Sequence, residues 1–172
     1  SGTSSSSPGA VSAGVWQHVA IAVDRAAGLV RYYVDGQPWG TGTLSVPFLS
    51  VGSDSSGWLS IPGTFLPMTG YLDELRVWNV ARSEAQIQGG RCQSITSAPG
   101  LGFSMPFEAD LDDHGPYALG MGAQGNAQLQ SYSPTACATP AFSAAYMGGL
   151  NGFNYLSTNA GSLPELNFGM SD

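Results

Sequence analysis

The residues best suited to chemistry lie between Glu108 and Asp113. Glu108, Asp110 and Asp112 alternate, so on an extended strand all three carboxylates would share one face. Two carboxyl groups held about 5–9 Å apart in an open cleft are what glycoside hydrolysis requires. The run passes straight into Asp113-His114-Gly115, which reads as a turn. A second chemistry uses the same oxygens. Asp110, Asp112 and Asp113 form a hard-oxygen cluster suited to calcium, with turn carbonyls completing the shell and Asp73 as a further ligand. The spacing is not that of an EF-hand loop. The structural alternative is turn chemistry, in which Asp side chains accept from nearby amides.

Other candidates are isolated. Trp58 sits in a polar stretch after Asp54-Ser55-Ser56-Gly57 and could stack on a sugar or fill a partner's pocket, or fold back over the core. Cys92 and Cys137 have no metal-ligand spacing. In an oxidising compartment they can pair as a disulfide, and two free or buried thiols are the alternative. His18 and His114 are the only histidines. His18 shares a strand face with Trp16 and reads as a packed, hydrogen-bonded core residue. No serine lies in a nucleophile context, no glycine-rich phosphate loop is present, and no Asn has Ser or Thr two positions on.

The elements that must position these groups are strands. The chain has 172 residues, 24 Gly, 11 Pro and no Lys, a composition of strands and turns more than helices. A net charge of −7 provides no basic stripe for nucleic acid and no attraction to an anionic bilayer. No apolar run is long enough to span a membrane, and residues 1–9 are polar, unlike a signal peptide.

Residues 16–23 read as a strand with two largely apolar faces, which places it inside a sandwich. Residues 29–34 return after a turn at Gly28, and Asp35-Gly36 is a tight-turn signal. Weaker strands are expected over 37–46 and 47–52, and a loop over 53–64. Residues 69–78 form the best strand of the chain. Ser83 caps a short helix ending near residue 88. Further strands are expected over 101–107, 127–132, 142–147 and 153–156, with 120–125 rich in turns.

Three of these segments carry a resemblance: Trp16-Gln17-His18-Val19-Ala20, then Tyr33-Val34-Asp35-Gly36, then Gly70-Tyr71-Leu72-Asp73-Glu74-Leu75-Arg76-Val77-Trp78-Asn79 followed by Ala81-Arg82-Ser83. In this order and spacing they resemble the laminin-G-like, concanavalin-type jelly roll, which implies an all-β antiparallel sandwich with at most one short helix near 83–88. Residues 1–97 resemble the C-terminal half of such a unit. Residues 98–172 resemble a linker and the N-terminal strands of a next unit, through Phe107-Glu108-Ala109-Asp110-Leu111-Asp112-Asp113 and Gly149 to Leu156. Two arrangements fit: a stretch of a tandem array, which we expect, or two halves completing one permuted sandwich.

The resemblance implies a non-catalytic extracellular or cell-surface module with a structural or adhesive role. Its partners would be neighbouring domains or subunits of an assembly, or glycans, with no nucleic acid and no membrane insertion. Family members often carry a structural calcium near a domain edge. A carbohydrate-binding module of a secreted enzyme is the alternative. A glycoside hydrolase is more remote: laminarinase-type enzymes of this fold carry Glu-x-Asp-x-Glu on a strand, whereas here the last position is Asp112.

Overall fold

The structure is a computed structural model that describes residues 9–43, 58–61, 69–118, 122–124, 127–131, 144–147 and 155–159. Among them are antiparallel strands and one short helix, the all-β class expected from the sequence. The expected strand over 47–52 lies outside the described residues.

The first sheet is local. β1 (Val19–Asp24), β2 (Leu29–Val34) and β3 (Gln37–Thr43) pair in chain order. Asp35 and Gly36 both take positive φ, 52° and 77°, as a two-residue hairpin turn demands. Val34 then pairs with Gln37. The register slips between Tyr32 and Tyr33, which leaves Trp39 as the extra residue of a bulge in β3. α1 (Glu84–Gly90) lies against this sheet. Ser83 caps it through a complete capping box: its Oγ accepts from Gln86 N–H, and Gln86 Oε1 accepts from Ser83 N–H. Ile87 is buried with Ala22 and Tyr33. A side chain at position 36 would meet Gln88 Cα at 3.1 Å, so glycine there serves both the turn and the approach of the helix.

The sequence predicts β1 inside a sandwich, with both faces covered. Only the Ala20–Ala22 face is packed. On the other face Val19 is 57 %, Ile21 68 % and Val23 43 % exposed, and β1 is an edge of its sheet.

The remaining sheets pair segments far apart in the chain. β4 (Trp58–Ile61) and β8 (Gly122–Gln124) flank β11 (Tyr155–Asn159). β5 (Gly70–Leu72) and β9 (Gln128–Gln130) flank β10 (Ala144–Met147). β6 (Leu75–Trp78) pairs with β7 (Leu101–Met105). Strands from residues 1–97 thus share sheets with strands from 98–172. Two of them fall where the sequence predicts loop or turn: β4 within 53–64 and β8 within 120–125. Their ladder partners lie too far along the chain for local polarity to register.

The expected strand 69–78 is broken. Glu74 takes φ 50°, and the chain divides there into β5 and β6. Unbroken alternation would place Leu72 opposite Leu75 and Val77. The kink turns all three against the same core of Phe103, Met105, Phe107 and Ala145. This is the main apolar cluster; Phe103 and Met105 have no exposed surface.

Candidate functional site

The carboxylates between Glu108 and Asp113 do not lie on a strand. β7 ends at Met105, and Phe107 takes a left-handed φ of 59°. The turn removes the alternation that would align Glu108, Asp110 and Asp112 as a hydrolytic set.

Two of the loop's three aspartates have a nearer task. Asp110 Oδ1 accepts from Asp112 N–H at 3.0 Å and lies 2.8 Å from His114 Nε2. The histidine contact, then the amide, hold the Asp110 carboxyl below its ordinary range. Asp113 is 5 % exposed, and its Oδ1 accepts from Ser104 N–H at 2.8 Å and Gly115 N–H at 2.7 Å. Asp112 is exposed. Asp73 belongs to a different cluster. Among the described residues no three of His, Cys, Asp and Glu are arranged to hold a metal ion. The expected calcium set of Asp73, Asp110, Asp112 and Asp113 is not brought together: Asp73 lies apart, and Asp110 and Asp113 each give an oxygen to bonds within the turn.

Asp73 sits at the break between β5 and β6, where half-burial and the neighbouring Glu74 push its carboxyl up to about 7. Glu108 adds to the effect and Arg76 opposes it. Glu74 is likewise raised by burial. Arg76 donates through Nη1 to Gly90 O at 3.0 Å. His18 faces this group, and burial, then Arg76, lower its pKa. Its backbone N–H donates to Asp35 Oδ1 at 3.0 Å, and Asp35 N–H returns to His18 O at 2.8 Å. Arg91 donates to Asp35 O at 2.9 Å. These bonds tie the tight turn to β1 and to the end of α1. Trp16 meets Tyr71 at 6.2 Å between ring centroids. Trp16 thus packs as expected, whereas the hydrogen-bonded core histidine expected at position 18 is not found: His18 is half-buried and its side-chain Nδ1 has no hydrogen-bond partner among the described residues.

A hollow of roughly 390 Å³ opens between β2, β3 and the segment leading into α1. Its walls include Arg31, Tyr33, Thr41, Arg82, Ser83 and Glu84. Arg82 lies over the ring of Trp78, with Cζ 3.9 Å from the centroid. Arg31 is in a loose pair with Asp24 at 3.8 Å. The sequence offers Arg82 only within the Ala81-Arg82-Ser83 segment and gives neither arginine a site role. They are 51 positions apart, and only the packing of α1 on the first sheet joins them.

Trp58 opens β4, and its side chain lies outside the described residues. Cys92, just past α1, is disulfide-bonded rather than a free thiol. Cys137 lies outside the described residues, so its pairing with Cys92 is a proposal.

Antiparallel sheets around an apolar core, with one capped helix, define a concanavalin-like β fold. A laminin G family model, described as the concanavalin A-like lectin/glucanases superfamily, matches residues 1–88, and the chain belongs to that family. Comparison with curated proteins and with solved structures gives no match.

Proposed function

We propose that the chain is a non-catalytic recognition or structural module of an extracellular or cell-surface protein, acting through contacts with a protein or glycan partner. Three features support this reading. The family is commonly extracellular, and among the described residues no helix is long and apolar enough to cross a membrane. Cys92 is disulfide-bonded, which suits an oxidising compartment.

The observation that supports the non-catalytic part is the end of β7 at Met105 and the left-handed φ of Phe107, which take Glu108, Asp110 and Asp112 off the strand that would align them. A glycosidase pair needs two carboxyl groups held at a set separation across the sugar. Strand pairing between residues 1–97 and 98–172 favours the two segments acting together as one recognition body.

The test incubates the protein with β-glucans and, in parallel, with arrayed glycans and cell-surface extracts. Saturable retention without release of reducing sugar is expected. Sugar release abolished by Glu108→Gln would establish the hydrolase instead. Retention by glycans alone would favour the carbohydrate-binding module.

A further inference from the structure

We propose that the hollow between β2, β3 and α1 is a carboxylate-recognition site that takes an acidic side chain of an extended partner peptide. The inference rests on the recognition-module reading and gives it a place and a ligand chemistry.

Charge complementarity is the first argument. The chain is acidic, with a net charge of −7 and only five basic side chains. Two of the five, Arg31 and Arg82, line this one hollow, against a single carboxylate, Glu84. Among the described residues Arg82 makes neither an ion pair nor a hydrogen bond; its only contact of that kind is with the Trp78 ring. Stacking holds a guanidinium in place and leaves its N–H edge available, the edge that grips a carboxylate through two parallel bonds. Arg31 is held only by the 3.8 Å contact to Asp24, long for a charge-assisted hydrogen bond.

The shape of the hollow favours a peptide over a sugar. A pyranose ring calls for an open aromatic face. Tyr32 and Tyr33, which line the hollow, are 7 % and 5 % exposed, and the Trp78 face is already taken by Arg82. Among the described residues, what lies open is the edge of a sheet: β3 ends the order β1-β2-β3, and its Gly40 and Thr41 line the hollow. An edge strand presents unpaired N–H and C=O groups to an extended chain. A peptide lying along this stretch can direct an acidic side chain towards Arg82 and Arg31. The bulge at Trp39 interrupts the edge on one side and limits the pairing to Gly40–Thr43.

The test is fluorescence anisotropy on the full chain with a labelled, acetylated Ser-Val-Glu-Val-Ser peptide and its Gln counterpart. The Glu peptide is expected to bind at least about ten-fold more tightly, the scale of one charge-assisted fork. Arg82→Gln and Arg31→Gln should each reduce that preference to within about two-fold, with Arg82→Lys intermediate because a point charge lacks the fork. Thermal melts accompany every variant, so that Arg31→Gln carries the test if Arg82→Gln disturbs the fold. Equal binding of the two peptides by the unsubstituted protein overturns the proposal. So does a preference that survives both substitutions. Binding of free glucuronate without binding of the Glu peptide overturns it in favour of an acidic glycan. The recognition-module reading stands or falls separately, on the retention assay above.

Discussion

Asp113 closes the turn after β7 by taking the backbone N–H of Ser104, nine residues earlier, at 2.8 Å. The returning chain completes the exchange, since His114 N–H donates to Ser104 O at 2.7 Å. Ser104 pairs with Arg76 of β6 on its other side and is itself fully buried. Gly115 lies so close that a Cβ there would meet Asp113 Oδ1 and Ser104 N at 2.8 Å. A carboxylate with the residue types of a calcium ligand thus serves as a surrogate strand partner.

Asp113→Ala should therefore destabilise the protein by about 2 kcal/mol or more, since it orphans two amides held by Oδ1. Asp113→Asn keeps the oxygen and should lose less. Urea unfolding of both variants, with EDTA and with added calcium, makes the check. A loss that appears only when calcium is present would restore the metal reading.

Stability should depend on pH through Asp73. The folded state holds its proton more tightly than the unfolded chain, because burial and Glu74 raise the carboxyl from 3.8 to about 7. That contribution is complete below the unfolded value and is lost as pH rises through about 7. His18 has the opposite sign: burial lowers it from 6.5, so its contribution is present above that pH and is lost as pH falls. Melting temperatures of the wild type and Asp73→Asn, taken from about pH 4 to pH 8, separate the two. Asp73→Asn should remove the decline towards neutrality. Parallel profiles would show that Asp73 titrates normally.

Two backbone positions should respond with opposite signs. Ala118 is exposed at φ 46°, a conformation that disfavours a Cβ, so Ala118→Gly should gain up to about 1 kcal/mol. Gly100 has φ 81°, and a Cβ there would lie 2.6 Å from Val80 Cγ2. Gly100→Ala should lose about 1–3 kcal/mol through strain and overpacking. Chemical denaturation measures both, and changes of the same sign would contradict this account.

Cys92 and Cys137 should appear as one cross-linked peptide in a non-reducing digest. Replacing both by Ser should lower stability by about 2–4 kcal/mol, the usual effect of opening such a loop. Recovery of alkylated Cys137 from the untreated, unfolded protein would disprove the pairing.

Much of the first sheet and its helix was legible in the sequence because its signals are local. Asp35-Gly36 marks a turn through its own φ preferences, and Ser83 marks the start of α1 as its N-cap. The Trp16–Ala20, Tyr33–Gly36 and Gly70–Asn79 segments carry the family within residues the family model matches. Trp58–Ile61 carries the local polarity of a loop, because the ladder partner that makes it a strand, Tyr155–Asn159, lies almost a hundred positions away. Asp73-Glu74 looked like the middle of one strand, since alternation alone cannot show that Leu72 and Leu75 must reach the same core.

The sequence by itself determined what short-range sterics and hydrogen bonding can encode: strand alternation, the tight turn at Asp35, the capped helix and the family these make recognisable. Tertiary structure decided how groups distant along the chain meet. It divided the long strand at Glu74, joined residues 1–97 to 98–172 in common sheets, turned Asp113 towards Ser104 and brought Arg31 within the same hollow as Arg82. The reason is physical. Burial, desolvation and the meeting of charges depend on which surfaces come together in space, and spacing along the chain does not specify that.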